Sequence, residues 1–261
     1  MTVGLPDLGR AGLRLDVGAP APGAATITLD KAERRNAMTP AMWHALAAIG
    51  GALPPEVRVV VVRGAGPSFS AGIDLRLFTP GGVPGENPLP SPASPDFEDW
   101  IASCQAGYTW LRDPAIVSVA AVRGHAIGGG FQLALSCDLR VLADDAQFCM
   151  KEPAIGLVPD LAGTKPLVDI VGLPRALELC LTGRNVGAAE AAQLGLAELV
   201  VPGADLDAAV GDLVAALLTV EPAVARATKG LLQQAPGNDT DQQAAAERRA
   251  QAALQRARLA G

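Results

Sequence analysis

Residues 116–142 have the sequence IVSVAAVRGHAIGGGFQLALSCDLRVL, in which apolar runs flank three consecutive glycines. The first run, residues 116–122, is nearly continuous and rich in β-branched residues, which is typical of a strand buried on both faces. Residues 131–136 form an apolar, helix-like segment, and residues 139–142 predict a second strand. Strand, helix and strand at this spacing indicate an α/β fold with parallel pairing.

Further elements are predicted on both sides of this unit. The patterns predict strands at 26–29, 57–62 and 197–201, and helices at 41–50, 173–181 and 188–194. Beyond residue 205 the sequence is rich in alanine and predicts three more helices, the last at 241–258. We therefore expect a core formed by residues 1–195 and a C-terminal helical region formed by residues 196–261.

Composition narrows the classes of function. The chain has 261 residues, 49% of them hydrophobic, and a formal net charge of −6, which argues against a nucleic-acid partner. A few local cations and helix N-termini could still bind an anionic small ligand. No apolar run reaches the roughly 18 residues of a membrane span, and the first ten residues lack a signal-peptide pattern. We expect no membrane partner and a cytoplasmic location.

The cysteines and histidines do not form a metal-binding pattern. The four cysteines are scattered and no CxxC or Cys/His spacing is present: Cys104, Cys137, Cys149 and Cys180, with His44 and His125. We interpret the cysteines as small buried apolar residues and expect no metal.

Residues 79–95 read TPGGVPGENPLPSPASP and have no period. A loop this long inside a compact domain is often functional. We interpret it as a flexible flap near a ligand, with a plain surface insertion as the alternative.

Two glycine-bearing turns follow two of the predicted buried strands, at residues 68–75 (SFSAGIDL) and 128–132 (GGGFQ). Glycine lets the backbone approach a ligand closely, and a helix that starts at glycines has free N–H groups in its first turn. Two such turns brought together would offer paired donors to a developing oxyanion. The phosphate loop, the dinucleotide fingerprint and the nucleophile elbow are all absent from the sequence.

Four stretches resemble the enoyl-CoA hydratase/isomerase (crotonase) family, in the family's order and at its separations. They are residues 29–38 (LDKAERRNAM), 60–75 (VVVRGAGPSFSAGIDL), 122–140 (VRGHAIGGGFQLALSCDLR) and 146–164 (AQFCMKEPAIGLVPDLAGT). The resemblance implies a crotonase-like spiral of β–β–α units whose C-terminal helices assemble homotrimers or hexamers (dimers of trimers). It also implies an acyl-CoA thioester as substrate, with coenzyme A as part of the substrate and no separate cofactor.

The resemblance assigns a role to particular residues. In such proteins two peptide N–H groups hold the thioester oxygen, and the matching donors here are those of Ile73 and Gly129. The positions that match the lining of the substrate are Ala37, Ala71, Asp74, Leu75 and Gly128.

The acid–base residues depart from the hydratase pattern. Hydratases of the family carry two glutamates, and this chain has Gln132 at the first position and Glu152 at the second. An amide cannot exchange a proton near neutral pH, so Gln132 could only orient a water or bond to a substrate. Asp160 matches an acid of the family's dienoyl-CoA isomerases. Its alternative role is a helix N-cap, and for Glu152 the alternative is a surface salt bridge.

These residues favour an enzyme in which Glu152 carries the proton, with Asp160 as the candidate for an assisting acid. The preferred reaction is double-bond isomerisation of an enoyl-CoA. Water addition to a 2-enoyl-CoA is the alternative within the same class, and a non-catalytic acyl-CoA-binding protein is the alternative outside it.

Overall fold

A six-stranded sheet forms the centre of the protein in the computed structural model, which describes residues 4–260. The strands of the described chain are β1 (Leu13–Val17), β2 (Ala24–Leu29), β3 (Val59–Gly64), β4 (Val117–Val122), β5 (His125–Ile127), β6 (Leu139–Ala143), β7 (Gln147–Cys149), β8 (Val186–Gly187) and β9 (Leu199–Val201). The large sheet has the order β1-β2-β3-β4-β6-β9, and the remaining strands form a small sheet of order β5-β7-β8.

One helix, α1 (Leu8–Ala11), precedes the strands, and the other helices lie between and after them. They are α2 (Pro40–Ala52), α3 (Phe97–Thr109), α4 (Gly129–Ser136), α5 (Thr164–Thr182), α6 (Ala188–Gln193), α7 (Leu206–Leu218), α8 (Pro222–Gln234) and α9 (Thr240–Ala260). In the large sheet only β1 runs antiparallel to its neighbour. The predicted parallel α/β fold is confirmed.

The chain alternates between the two sheets. It passes from β4 in the large sheet to β5 in the small one, then through α4 to β6, and again to the small sheet with β7. Strand, short strand and helix is the β–β–α unit that the resemblance implies. The two glycine turns both adjoin β5: the Ser70 N–H of the first donates to the His125 carbonyl (2.8 Å), and the second follows Ile127 directly.

The large sheet is buried on both faces, as the apolar runs predict. Alternate residues of β3 face opposite sides: Val60 and Val62 lie in the main core, whereas Val59 and Val61 lie in a second core covered by α7. The predicted boundary between the core and the C-terminal helical region, at residue 195, lies before β9. Strand β9 pairs with β6 of the core. Residues 199–218 therefore complete the sheet and its covering layer.

Several predicted boundaries differ from the structure by one or two residues, and two elements need correction. The predicted strand at 57–62 begins at Val59, because Val57 closes a turn by donating to the carbonyl of Pro54. The predicted helix at 173–181 is the second half of α5, which begins at Thr164 and has a non-helical residue at Gly172. Gly172 and the nearby Pro174 interrupt the apolar period, so the first half of α5 escaped prediction.

The last two helices pack loosely on the rest of the protein. None of the described residues of α8 is buried, and in α9 only Ala246 is buried among the side chains described. Within residues 4–260 no single helix is long and apolar enough to cross a bilayer. Only a pair of segments, Gly203–Leu218 and Pro222–Gly237, meets that test together, and it is bent by 103°.

Candidate active site

A cavity of about 710 Å³ lies beside both glycine turns. Ile73 of the first turn and Gly129 of the second contribute to its wall, together with Glu152 and Asp160. The opposite wall is formed by most residues from 77 to 92 and by α3. The predicted flap, residues 79–95, therefore borders the cavity that contains the predicted acid–base residues.

The first glycine turn is fixed from one side by hydrogen bonds to Met38. The Met38 N–H donates to the Gly72 carbonyl (2.8 Å), and the Asp74 N–H donates to the Met38 carbonyl (2.9 Å). Successive peptide groups of an extended chain point in opposite directions. Since the groups on either side of Ile73 face Met38, the Ile73 N–H points away from it.

The second turn presents its donor through the start of α4. Gly128 has φ of +51° and ends β5, and α4 begins at Gly129. The N–H groups of a helix's first turn have no partner within the helix. The Gly129 N–H is therefore free of its own helix.

The two turns touch each other at Gly72. A β-carbon on Gly72 would lie 2.5 Å from the Ile127 carbonyl oxygen and 3.6 Å from the Gly129 nitrogen. The φ of Gly72 is +81°, a value that residues with a side chain rarely adopt. Among the described residues, neither the Ile73 N–H nor the Gly129 N–H donates to a protein acceptor. Two unpaired main-chain donors thus lie in one cavity wall, an arrangement that can hold a single negatively charged oxygen.

Glu152 is buried beside these donors. It begins the 3₁₀ turn Glu152–Ile155 and is 7% exposed. Its Oε1 accepts a hydrogen bond from Gln132 Nε2 (2.6 Å), whereas its Oε2 has no partner. A β-carbon on Gly128 would lie 3.1 Å from the same Oε1, so the second turn is next to the carboxylate. The interpretation of Glu152 as a surface salt bridge is wrong.

The environment of Glu152 suits proton transfer. Burial raises the pKa of its carboxyl above the ordinary value, the negative charge of Asp160 raises this pKa further, and the hydrogen bond from Gln132 opposes both effects. A carboxyl whose pKa lies closer to neutrality exchanges protons more effectively at physiological pH.

Gln132 lies behind Glu152 and does not line the cavity. It is fully buried in α4, and its Oε1 accepts from the N–H groups of Leu161 (2.8 Å) and Gly163 (3.2 Å) while its Nε2 donates to Glu152. The sequence predicted a direct contact with water or substrate. The structure corrects this, because both ends of the amide are bound to protein and fix Glu152 relative to residues 161–163.

Asp160 lines the cavity and does not cap a helix. The N-cap of α5 is Gly163, so the N-cap interpretation of Asp160 is wrong. The carboxyl of Asp160 is half-buried, and burial raises its pKa. The main-chain carbonyl of Asp160 accepts from Gln105 Nε2 (2.7 Å), which fixes this loop to α3.

The other predicted substrate residues belong to the two turns, apart from Ala37, and do not line this cavity. Asp74 is 5% exposed, and its carboxylate accepts from Arg76 Nη2 at 2.6 Å. That hydrogen bond lowers the pKa of Asp74, which stays ionised and braces the turn. Leu75 is exposed, Ala71 is half-buried, and Ala37 and Gly128 are buried. The role of these five residues in holding a substrate remains a prediction.

Several residues of the site carried no sequence signal. Tyr108 is fully buried, and its hydroxyl lies 3.3 Å from the Gly129 carbonyl, which steadies the second turn. Cys104 lines the cavity, and burial raises the pKa of its thiol to about 11, so it is protonated and a poor nucleophile near neutral pH. Within residues 4–260, no group of three or more His, Cys, Asp or Glu side chains could hold a metal ion.

The fold and this site together define the crotonase class: a spiral of β–β–α units with a buried carboxylate next to two free peptide donors. The sequence model described as enoyl-CoA hydratase/isomerase matches residues 21–258. The chain belongs to the enoyl-CoA hydratase/isomerase family.

Relatives with known names cover most of the chain. Hydroxycinnamoyl-CoA hydratase-lyase of Pseudomonas fluorescens is 32% identical over 79% of this chain and 74% of its own length. Carnitinyl-CoA dehydratase of Escherichia coli K12 is 36% identical over 67% of this chain. The chain spans about two thirds of the length of such curated relatives, 63% in the second case.

Some solved structures have a higher sequence identity to this chain than these curated relatives. A proposed enoyl-CoA hydratase from Thermobifida fusca YX, in complex with CoA, is 58% identical with a TM-score of 0.93. That comparison covers 100% of this chain and 99% of the other. A complex of a proposed hydratase from the same organism with acetoacetyl-CoA has a TM-score of 0.92 at 57% identity, over 97% of this chain and 98% of the other.

Proposed function

We propose that this protein binds an acyl-CoA thioester and moves the double bond of its acyl group from the β,γ to the α,β position. One observation carries the proposal: the only unpartnered carboxylate oxygen among the buried side chains of residues 4–260 is Oε2 of Glu152, and Glu152 lines the same cavity as Ile73 and Gly129, whose peptide N–H groups are free. The CoA complexes of the Thermobifida fusca relatives support the choice of thioester.

The proposed reaction is a proton shuttle. The ionised carboxylate of Glu152 removes a proton from the α-carbon, and the electron pair of that C–H bond moves into the acyl group to give a dienolate. The N–H groups of Ile73 and Gly129 hold the thioester oxygen on which the negative charge develops. Protonated Glu152 then returns the proton to the γ-carbon, and the double bond ends between the α- and β-carbons.

Gln132 favours isomerisation over hydration. Hydration needs water to be activated and oriented, and the family's hydratases use two carboxylates for it. Here the first position carries an amide that cannot exchange a proton and is engaged with Leu161 and Gly163. Isomerisation needs one proton carrier, and Glu152 supplies it. Asp160 lines the same cavity and could assist at the γ-carbon.

Enoyl-CoA hydration is the second candidate. It is favoured by the names of the relatives, which include a hydratase-lyase and a dehydratase. In that reaction Glu152 would activate water, with Asp160 as the second carboxyl of the cavity.

Incubation with a β,γ-dodecenoyl-CoA and, separately, with the 2-enoyl-CoA of the same chain length in deuterated water separates these functions. Isomerisation gives the conjugated thioester. Its γ-carbon carries deuterium if Glu152 exchanges with solvent, or protium if Glu152 returns the same proton. Hydration gives a 3-hydroxyacyl-CoA. Binding of both thioesters without turnover or exchange would leave only the non-catalytic binder. The proposal is wrong if the β,γ-enoyl-CoA is unchanged while the 2-enoyl-CoA of the same chain length is hydrated.

The pH profile tests the positioning role of Gln132. In Gln132→Glu the acceptor for Leu161 and Gly163 is kept, but a second carboxyl lies about as close to Glu152 as the present 2.6 Å hydrogen bond. Like charges at this distance share a proton, so the pKa of Glu152 should rise further. Since Glu152 must be ionised to act as a base, the acidic limb of kcat/KM should move to higher pH.

The variant Asp160→Asn should shift the pH profile in the opposite direction. The charge of Asp160 raises the pKa of Glu152, so its removal should move the acidic limb to lower pH. If neither variant moves the limb, Glu152 is not the group that the profile reports. A gain of hydration in Gln132→Glu would show that position 132 reaches the ligand, contrary to its burial.

We also propose that the protein assembles as a trimer or as a pair of trimers. The loose packing of α8 and α9 supports this, and so do three exposed leucines spaced by four residues on α5: Leu173, Leu177 and Leu181. Light scattering should give three or six times the chain mass of 26.6 kDa. A monomer at micromolar concentration would contradict the assembly.

A further inference from the structure

The cavity beside Glu152 is much larger than a short acyl group requires. A closed apolar cavity of roughly 150 Å³ is enough to bind a benzene molecule. The cavity here has about 710 Å³, which is within the range of sites for drug-sized ligands. A four-carbon acyl group would leave most of its apolar wall without contact.

Aromatic residues are concentrated in the wall. The chain has nine aromatic residues, three Trp, one Tyr and five Phe, and four of them line this cavity: Trp43, Phe78, Phe97 and Trp100. Phe97 and Trp100 stack on each other with ring centroids 5.7 Å apart and an interplanar angle of 22°. Such rings offer large apolar area to a ligand of similar character.

The charges in the wall have one sign. Its charged residues are Glu86, Glu152 and Asp160, and no Lys, Arg or His is among the lining residues of the described chain. Glu86 Oε2 accepts from the Ala41 N–H in the first turn of α2, where the helix dipole also favours an anion. A carboxylate on the acyl group would meet three acids and no counter-ion.

The wall formed by residues 79–92 is restrained rather than free. It contains five prolines, which limit the backbone, and the Glu86 hydrogen bond ties it to α2. A cavity wall that keeps its shape without a ligand loses less conformational entropy on binding.

We propose that this protein prefers large, uncharged, apolar acyl groups, of roughly ten carbons or more or carrying a ring, over short and carboxylated ones. The inference rests on the proposed binding of a CoA thioester at Ile73 and Gly129. It adds the size and polarity of the acyl group that the site prefers.

Calorimetric titration with saturated thioesters tests this without turnover. The probes are free CoA, butyryl-CoA, dodecanoyl-CoA, 4-phenylbutyryl-CoA and glutaryl-CoA. We expect the dodecanoyl and phenylbutyryl thioesters to bind at least tenfold tighter than butyryl-CoA, and glutaryl-CoA to bind more weakly than butyryl-CoA. Equal affinities for all four acyl thioesters would overturn the inference while leaving the proposed function intact. If no probe binds, the proposed function itself fails.

A charge introduced into the wall gives a second, independent measurement. Ile101 lies on α3 and lines the cavity, and it is half-buried. Ile101→Lys should tighten glutaryl-CoA binding at least fivefold relative to Ile101→Gln, which has a similar polarity change without the charge. Identical glutaryl-CoA affinity in these two folded variants would show that charge in this cavity does not select the acyl group.

Discussion

Replacing Glu152 with glutamine should lower turnover of a β,γ-enoyl-CoA by about 10²- to 10⁴-fold, the usual contribution of a positioned general acid or base. Glutamine has nearly the same shape, and its Oε1 can still accept from Gln132 Nε2 at this position. It removes a buried carboxyl whose pKa is raised by burial, so we expect no large loss of stability. Affinity for a saturated acyl-CoA should change by less than about threefold, because Ile73 and Gly129 are untouched.

The measurements for this variant are kcat from steady-state kinetics and Kd from calorimetry. Glu56→Gln is a matched control, since Glu56 is exposed and lies outside the cavity wall, and it should retain full activity. A Glu152→Gln protein that turns over at the wild-type rate would remove this residue from the mechanism. Loss of both binding and turnover would instead indicate a structural role.

The sequence could point to residues of the site where a short motif resembles the family's. Ile73, Gly129 and Glu152 were selected by that resemblance, and all three line one cavity, although their roles stay predictions. The glycine turns were also recognisable from local sequence, since Gly72 and Gly128 have the positive φ that such turns require. The strands 117–122 and 59–64 were predictable for a similar reason. They are buried on both faces and therefore almost continuously apolar.

The parts that escaped prediction depend on contacts between distant segments. Gln132 meets Leu161, 29 residues away, and this contact makes it a support for Glu152 rather than a ligand contact. Tyr108 reaches Gly129 from α3, and the aromatic wall comes from three separate segments. Nothing in the local pattern of these residues distinguishes them from ordinary core. Asp160 was ambiguous because the start of α5 at Thr164, which decides between a cap and a cavity residue, carries no clear local signal.

Substitution of Gly72 by alanine should separate the two peptide donors. The added methyl group would lie 2.5 Å from the Ile127 carbonyl oxygen, a backbone atom, so no side-chain rotation can relieve the contact. The chain must shift where the first turn meets the second, and Ile73 N moves relative to Gly129 N. Loss of one oxyanion donor lowers kcat by about 10²- to 10³-fold, and we expect a loss of that size. The positive φ of Gly72 adds a stability loss of about 1 kcal/mol or more.

A spectroscopic readout separates this effect from simple destabilisation. A conjugated aryl-enoyl thioester absorbs at longer wavelength when its carbonyl oxygen is polarised by hydrogen bonds, so wild-type protein should shift its absorbance to the red. Gly72→Ala, studied well below its melting temperature, should bind this probe and lose most of the shift. Gly211→Ala is the matched control, since a β-carbon there on α7 would meet nothing within 4 Å, and it should leave shift and turnover unchanged. Because the red shift depends on donors converging on one oxygen, a folded Gly72→Ala protein with the full shift and wild-type kcat would mean that these two N–H groups do not act together.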